Sequence, residues 1–261
     1  MSTSSEQLTH PLTGKTVLVT GGGRGLGAAI SRRVAAAGAR VALVGRNKDR
    51  LQEVANGLPH DPLIVPADLG EPDAPLAVLD QVISVFGTLD VLVNNAGLGH
   101  VGSSDQLTPR EVGQVLGLNA RAALLLAGHA AGHMARSGGG SIVTISSALS
   151  NRGNPMNSLY SASKGALDAA ARALAAEWGP SGVRVNVVRP AVTRSDMATD
   201  ILDNPDMQAT YRCSVPLGRV GEPADVAEAV LFLAASSYVT GQLLDLDGGW
   251  GATARSILAI D

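Results

Sequence analysis

Apolar residues fall along this chain in two alternating rhythms. Short runs rich in β-branched residues occupy 16–20, 40–44, 63–65, 91–93, 141–145, 184–188 and 243–246, and predict seven strands. Between them, apolar residues at helical spacing predict helices over 26–37, 48–57, 74–86, 109–136, 158–178 and 223–235. Several strand runs, such as TVLVT and SIVTI, are apolar at consecutive positions, as strands covered on both faces require. Strand and helix alternate without a repeat or a low-complexity break. The pattern therefore predicts right-handed βαβ units in one doubly wound, seven-stranded parallel α/β sheet with helices on both faces. Residues 1–13, polar and rich in Ser and Thr, read as a flexible tail before a single domain over 14–261. The weakly periodic stretch 193–216 reads as a lid, because a long loop in a compact domain usually serves function.

Composition narrows the function classes. With 261 residues, 45% hydrophobic and 16% charged, the chain can bury a large core, which excludes disorder as its main state. A net charge of -3 leaves no basic field for a polyanion, so nucleic acid is not an expected partner. A single cysteine, Cys213, excludes a disulfide framework and reads as apolar filler in the lid. The opening MSTSSEQLTH has no basic region followed by an apolar one, and the longest uncharged apolar stretch, 122–135, is short for a bilayer and contains two histidines. The expectation is a soluble, cytoplasmic protein with no membrane partner. His129 and His133 stand four apart but lack the carboxylate that a helical zinc pair requires, so no metal is expected.

Chemistry enters at the end of the first strand, where Thr20-Gly21-Gly22-Gly23-Arg24-Gly25-Leu26-Gly27 leads into a helix. Strand, glycine turn and helix start are what a Rossmann dinucleotide site needs: glycines let the backbone approach a pyrophosphate, and the helix start favours its charge. At the end of the second strand, where an acidic residue would accept a ribose 2'-hydroxyl, the chain has Arg46. A cation there favours a 2'-phosphate, hence NADP(H), with Arg24 as a possible second contact. Further on, Tyr160 and Lys164 stand four apart at the start of a helix, on one face. A nearby ammonium and an oxidised nicotinamide together would lower the tyrosine pKa and suit it to acid–base work.

These motifs together resemble the short-chain dehydrogenase/reductase family over nearly the whole chain. The glycine turn is similar to the family's cofactor turn, Asn94-Asn95-Ala96-Gly97 follows the fourth strand as its NNAG does, and Tyr160-Ser161-Ala162-Ser163-Lys164 carries YxxxK. Asn119 lies in the helix of the family's catalytic asparagine, and Ser147 stands thirteen residues before Tyr160. The resemblance implies a catalytic set of Asn119, Ser147, Tyr160 and Lys164, with Tyr160 as general acid/base. It implies that Gly21, Arg24, Gly25, Leu26, Gly27, Arg46, Asp68, Leu69, Asn95, Ala96, Gly97, Tyr160, Lys164, Pro190 and Thr193 hold the cofactor, Asp68 at the adenine and Thr193 at the nicotinamide carboxamide. The substrate would meet Ser147, Leu149, Asn154, Tyr160 and Met197, with Ile201 also near the pocket. One departure is Pro190-Ala191, where the family commonly has Pro-Gly.

Residues and resemblance together predict an oxidoreductase moving hydride between NADP(H) and a ketone or secondary alcohol. A reductase of 3-oxoacyl or polyketide groups on a carrier protein stands as the alternative. A non-catalytic NADP(H) sensor stands third, since such a protein would be expected to lose the tyrosine or lysine. A homotetramer is implied by resemblance, with a dimer open, and Ile257 and Leu258 of the C-terminal tail are candidates to cross to a neighbour.

Overall fold

The structure, a computed structural model, describes residues 10–252. Seven strands form one sheet: β1 (Thr16–Thr20), β2 (Arg40–Gly45), β3 (Leu63–Pro66), β4 (Val91–Asn94), β5 (Gly140–Ile145), β6 (Val183–Pro190) and β7 (Leu243–Leu246). They lie in the order β3-β2-β1-β4-β5-β6-β7, every pair parallel. The helices are α1 (Gly25–Ala36), α2 (Lys48–Ala55), α3 (Ala74–Phe86), α4 (Pro109–Leu116), α5 (Ala123–Arg136), α6 (Ser158–Trp178), α7 (Thr199–Leu202), α8 (Pro205–Ser214) and α9 (Pro223–Ala235).

Alternate strand residues feed two cores, because successive side chains point to opposite faces. Val17, Val19, Val41 and Leu43 meet Ile30 and Val34 of α1 and Val226 and Val230 of α9. Leu18, Ala42, Val44 and Leu92 meet Val78 and Val82 of α3, Leu126 and Ala130 of α5, and Ala171 of α6. Aliphatic side chains fill both layers, in keeping with the scarcity of aromatics.

Three expectations are corrected. The helix expected over 109–136 is interrupted at Gly117–Ala122 by a π-helical turn joining α4 to α5. Residues 10–13 are not part of a tail: Leu12 is 2% exposed and its N–H donates to the Ala37 carbonyl at 3.0 Å, since one apolar side chain suffices to anchor the segment at the end of α1. Cys213 is exposed on α8 rather than buried as filler. Residues 1–9 and 253–261, with Ile257 and Leu258, and the side chain of Ile201, lie outside what the structure describes. The joined run Pro109–Arg136 is long and apolar enough to cross a membrane by length and composition, but its Leu126, Ala127, Ala130 and Met134 pack into the second core, as in a core helix.

The order reverses beside β1, whose chain continues to β2 on one side while β4 pairs on the other. A crevice opens there beyond the carboxyl ends of the strands, the place where such sheets bind ligands. The stretch 193–216 folds over it as α7 and α8, the latter started by Asn204, whose side chain accepts from the N–H groups of Asp206 and Met207.

Candidate active site

The glycine turn closes tightly between β1 and α1. Gly27 has no room for a side chain, since a Cβ would stand 2.0 Å from the Gly21 carbonyl oxygen, so turn and helix touch backbone to backbone. Gly25, at φ +50°, faces open space, with only the Ser195 Cβ near a virtual side chain. Gly21 faces Asn95, and Leu26 packs against the first core. Arg24 caps α1 without a side-chain bond into it; its guanidinium is paired instead with Asp196, just before α7.

The turn is locked to the end of β4 by Thr20. Its hydroxyl accepts from the N–H groups of Asn95 (2.9 Å) and Ala96 (3.0 Å), and Asn95 Nδ2 donates to the Thr20 carbonyl at 2.9 Å. The N–H of Gly22 donates to the Val44 carbonyl, which seats the turn against the end of β2. Arg46, one residue beyond β2, is exposed and has neither a hydrogen bond nor an ion pair among the described residues. Asp68 accepts from the N–H of Gly70, Leu69 is buried in the second core, and the Gly70 carbonyl accepts from Arg121 of the π turn.

Around the other half of the crevice the four candidate catalytic residues converge. Asn119 sits in the π turn, 1% exposed; its Oδ1 accepts from the Leu98 N–H and its Nδ2 donates to the Leu98 carbonyl (both 2.9 Å) and to Ser163 Oγ (3.0 Å). Such turns recur at functional positions, and this one aims an asparagine sideways from a continuous helix. Lys164 is 4% exposed; its Nζ donates to the Ile145 carbonyl at 2.8 Å and lies 5.8 Å from the Tyr160 ring centroid. A Cβ at Gly97 would stand 3.2 Å from Asn119 Oδ1 and 3.5 Å from Lys164 Nζ. Ser146 and Ser147 point apart: Ser146 Oγ donates to the Lys164 carbonyl, while Ser147 Oγ accepts from the Leu149 N–H and its side chain is close enough to act on the Tyr160 phenol.

Burial sets the electrostatics. It pushes the Lys164 ammonium down to about 8, with the Asp168 carboxylate working the other way. It also pushes the Tyr160 phenol up, with the Ser147 side chain pulling back. A lowering of the tyrosine by Lys164, as expected from sequence, is not the dominant effect in the protein alone: desolvation penalises both charged forms and outweighs an ammonium at this distance.

The remaining candidates lie around the mouth of the crevice and along its back wall. Pro190 ends β6; Thr193 is buried, bridges to Gly221 and donates to the Ala191 carbonyl. Met197 is 56% exposed, and its thioether overlies Gly99. Leu149 is half-buried, and the Asn154 amide is engaged with Asn157, whose own amide holds the His100 carbonyl at 3.1 Å. Sequence reasoning placed Thr20 in the turn without its latching role, and missed Asn157 and a charge cluster in which Asp168 and Arg189 are buried and Asp245 is exposed. The available signal was Asp168, a carboxylate one helical turn beyond Lys164 on an otherwise apolar face. No metal-binding group of three or more His, Cys, Asp or Glu occurs among the described residues.

A seven-stranded doubly wound sheet with a glycine turn at its switch point and a tyrosine, lysine, serine and asparagine beside it defines a nicotinamide-dependent oxidoreductase. A family model described as enoyl-(acyl carrier protein) reductase matches residues 21–251. The chain is 35% identical to a versicolorin reductase of Emericella nidulans over 92% of this chain and 97% of that protein. It is 37% identical to a 3alpha-hydroxysteroid dehydrogenase of Mediterraneibacter gnavus over 91% and 97%. Among solved structures, a 3-ketoacyl-(acyl-carrier-protein) reductase from Brucella melitensis complexed with NADH superposes with a TM-score of 0.86, 33% identity and coverage of 92% and 99%. An NAD(P)-dependent gluconate 5-dehydrogenase described from Beutenbergia cavernae, with bound NADP, superposes at 0.87, with 36% identity and coverage of 93% and 98%. The chain belongs to the short-chain dehydrogenase/reductase family, and is a hydride-transferring oxidoreductase.

Proposed function

We propose that the protein is an NADP(H)-dependent reductase of ketones, reversible to a secondary alcohol dehydrogenase. The observation that carries this reading is the convergence of Ser147, Tyr160, Lys164 and Asn119 on one side of a crevice whose other side is the glycine turn. The residues present suit a dinucleotide: Gly25 leaves open space at the start of α1, and Gly97 leaves backbone, not side chain, beside Lys164. When bound, the reduced nicotinamide supplies the hydride.

Tyr160 donates a proton to the carbonyl oxygen, and Ser147 hydrogen-bonds that oxygen as negative charge develops. Lys164 would hold the nicotinamide ribose, and its ammonium would favour the phenolate left on Tyr160. Asn119 has both amide ends committed to Leu98 and Ser163, so it acts by fixing the floor beside Lys164 and anchoring a proton path to solvent. Arg46, unpaired among the described residues at the end of β2, supports NADP(H) over NAD(H) by offering a cation to a 2'-phosphate. Arg24 is engaged by Asp196 and serves the lid in this arrangement. The protein has no nucleic-acid or membrane partner in this reading, resides in the cytoplasm, and assembles as a homotetramer, with sedimentation separating that state from a dimer.

The mixed apolar and amide surroundings of Ser147 suit a medium-sized ketone. The names of the relatives support both a hydroxysteroid-like substrate and a carrier-bound 3-oxoacyl group. The test is oxidation of NADPH against β-keto esters, cyclic and steroid ketones, and quinones, with Tyr160→Phe as control. Turnover should fall by at least about 100-fold in the variant while NADPH binding persists. An unchanged rate overturns the mechanism.

A further inference from the structure

Buried charge is costly unless it is paired, and removing one partner of a buried pair is worse than never having had it. Behind the site runs a line of charge that is buried at Lys164, Asp168 and Arg189 and reaches the surface at Asp245. Asp168, one turn beyond Lys164 on α6, is 5% exposed, and its Oδ2 faces Arg189 Nη1 at 3.4 Å. Its Oδ1 is buried with no hydrogen-bond partner among the described residues, so Arg189 is the group that engages this carboxylate directly. Arg189, 8% exposed at the penultimate position of β6, donates through Nη2 to Asp245 Oδ2 of β7 at 2.8 Å, with its Nε at ion-pair distance (2.7 Å) from Oδ1. Asn151, with its amide turned to donate to the Ala148 carbonyl at 2.9 Å, accepts from Arg189 Nη1 at 3.3 Å. Arg189 thus touches the helix that carries Tyr160 and Lys164, the turn after Ser147, and β7. The charges alternate in sign from Lys164 through Asp168 and Arg189 to Asp245, and sum to zero.

We propose that Asp168 and Arg189 are positioning residues of the active site: Asp168 is the counter-ion that keeps Lys164 charged, and Arg189 holds that carboxylate while bracing the turn of Ser147. The inference rests on the reading in which Lys164 works as an ammonium. The other groups about Lys164 are the Tyr160 phenol on its own helix, the Ile145 carbonyl from β5, and the Asn119 amide from the π turn. Arg121 of that turn is directed to the Gly70 carbonyl. Asp168 is accordingly the carboxylate that offsets desolvation of Lys164, as the direction of its effect shows.

Charge order fixes the sign of each substitution. Without Asp168, Lys164 keeps its desolvation and gains an uncompensated Arg189, so its midpoint falls. Without Arg189, Asp168 acts on Lys164 undiluted, and the midpoint rises. The chain has only three lysines, Lys15, Lys48 and Lys164, so protein labelled with 13C at lysine Cε gives three signals to titrate, the first two serving as internal controls. Asp168→Asn should lower the Lys164 midpoint by at least one pH unit, a tenfold change in its proton affinity. Asp168→Glu should restore it, Arg189→Met should raise it, and the double variant should lie between the two singles. Should Asp168→Asn fail to fold, the rise in Arg189→Met still decides. An unmoved Lys164 midpoint in the folded variants overturns the counter-ion role, leaving an ion cluster that only packs the core. Turnover retained in Tyr160→Phe would instead overturn the catalytic reading and leave the titration result standing.

Discussion

At the scale of single residues, the site separates groups that are committed from groups that are free. Asn119 spends its amide on its own fold, Lys164 is anchored to the Ile145 carbonyl, and Arg24 is taken up by Asp196. Arg46 is uncommitted among the described residues, which suits a residue reserved for a ligand. Replacing it with aspartate should reverse the electrostatics at the 2'-position. The ratio of kcat/KM for NADPH over NADH should fall by at least about tenfold, or roughly 1.4 kcal/mol of differential binding, as steady-state kinetics with each cofactor would show. An unchanged ratio would assign the discrimination elsewhere. Of the candidate catalytic residues, one pair was legible because spacing along a helix fixes a shared face, while Asn119 and Ser147 were suggested by resemblance alone. Tyr160 and Lys164 are such a pair. The hydroxyl of Thr20 was not legible as a latch, since its two donors come from 75 and 76 residues away.

At the scale of elements, strand positions followed from β-branched runs to within a residue or two, and α3, α6 and α9 have the bounds their periodicity predicts. The π turn at Gly117–Ala122 escaped because it leaves the apolar periodicity on either side nearly intact; only hydrogen-bond register shows it. Just upstream, α4 begins with a reciprocal cap: Thr108 Oγ1 accepts from the Glu111 N–H at 3.2 Å, and Glu111 Oε2 accepts from the Thr108 N–H at 2.9 Å. This fixes the direction in which the helix enters the site. Thr108→Ala should cost about 1 kcal/mol, read as a lower urea midpoint at unchanged slope. A changed slope would point to a wider loosening of the segment than loss of a cap.

At the scale of the whole molecule, the sheet is the organising object. Its central strands are covered on both faces, and Leu92 in β4 is 0% exposed, between α3 and α5. Leu92→Ala should therefore cost about 2–5 kcal/mol in equilibrium unfolding, the range for a core cavity that neighbours only partly close. The order of the strands was not legible, because alternating runs announce parallel units without saying which strand lies beside which. The anchoring of residues 10–13 was missed for a similar reason, since composition marks a polar stretch but does not reveal that one leucine docks.

The latch between Thr20 and the Asn95–Ala96 backbone also bears on synthesis of the chain. The glycine turn is made early, but the groups that shape it arrive about seventy-five residues later, after β2, β3 and α3 have emerged. A nascent chain that stops short of β4 carries every glycine of the turn and yet lacks its floor. Non-local pairing of this kind is slow to form. A dinucleotide that binds the finished crevice would stabilise only chains that have brought both sides of β1 together.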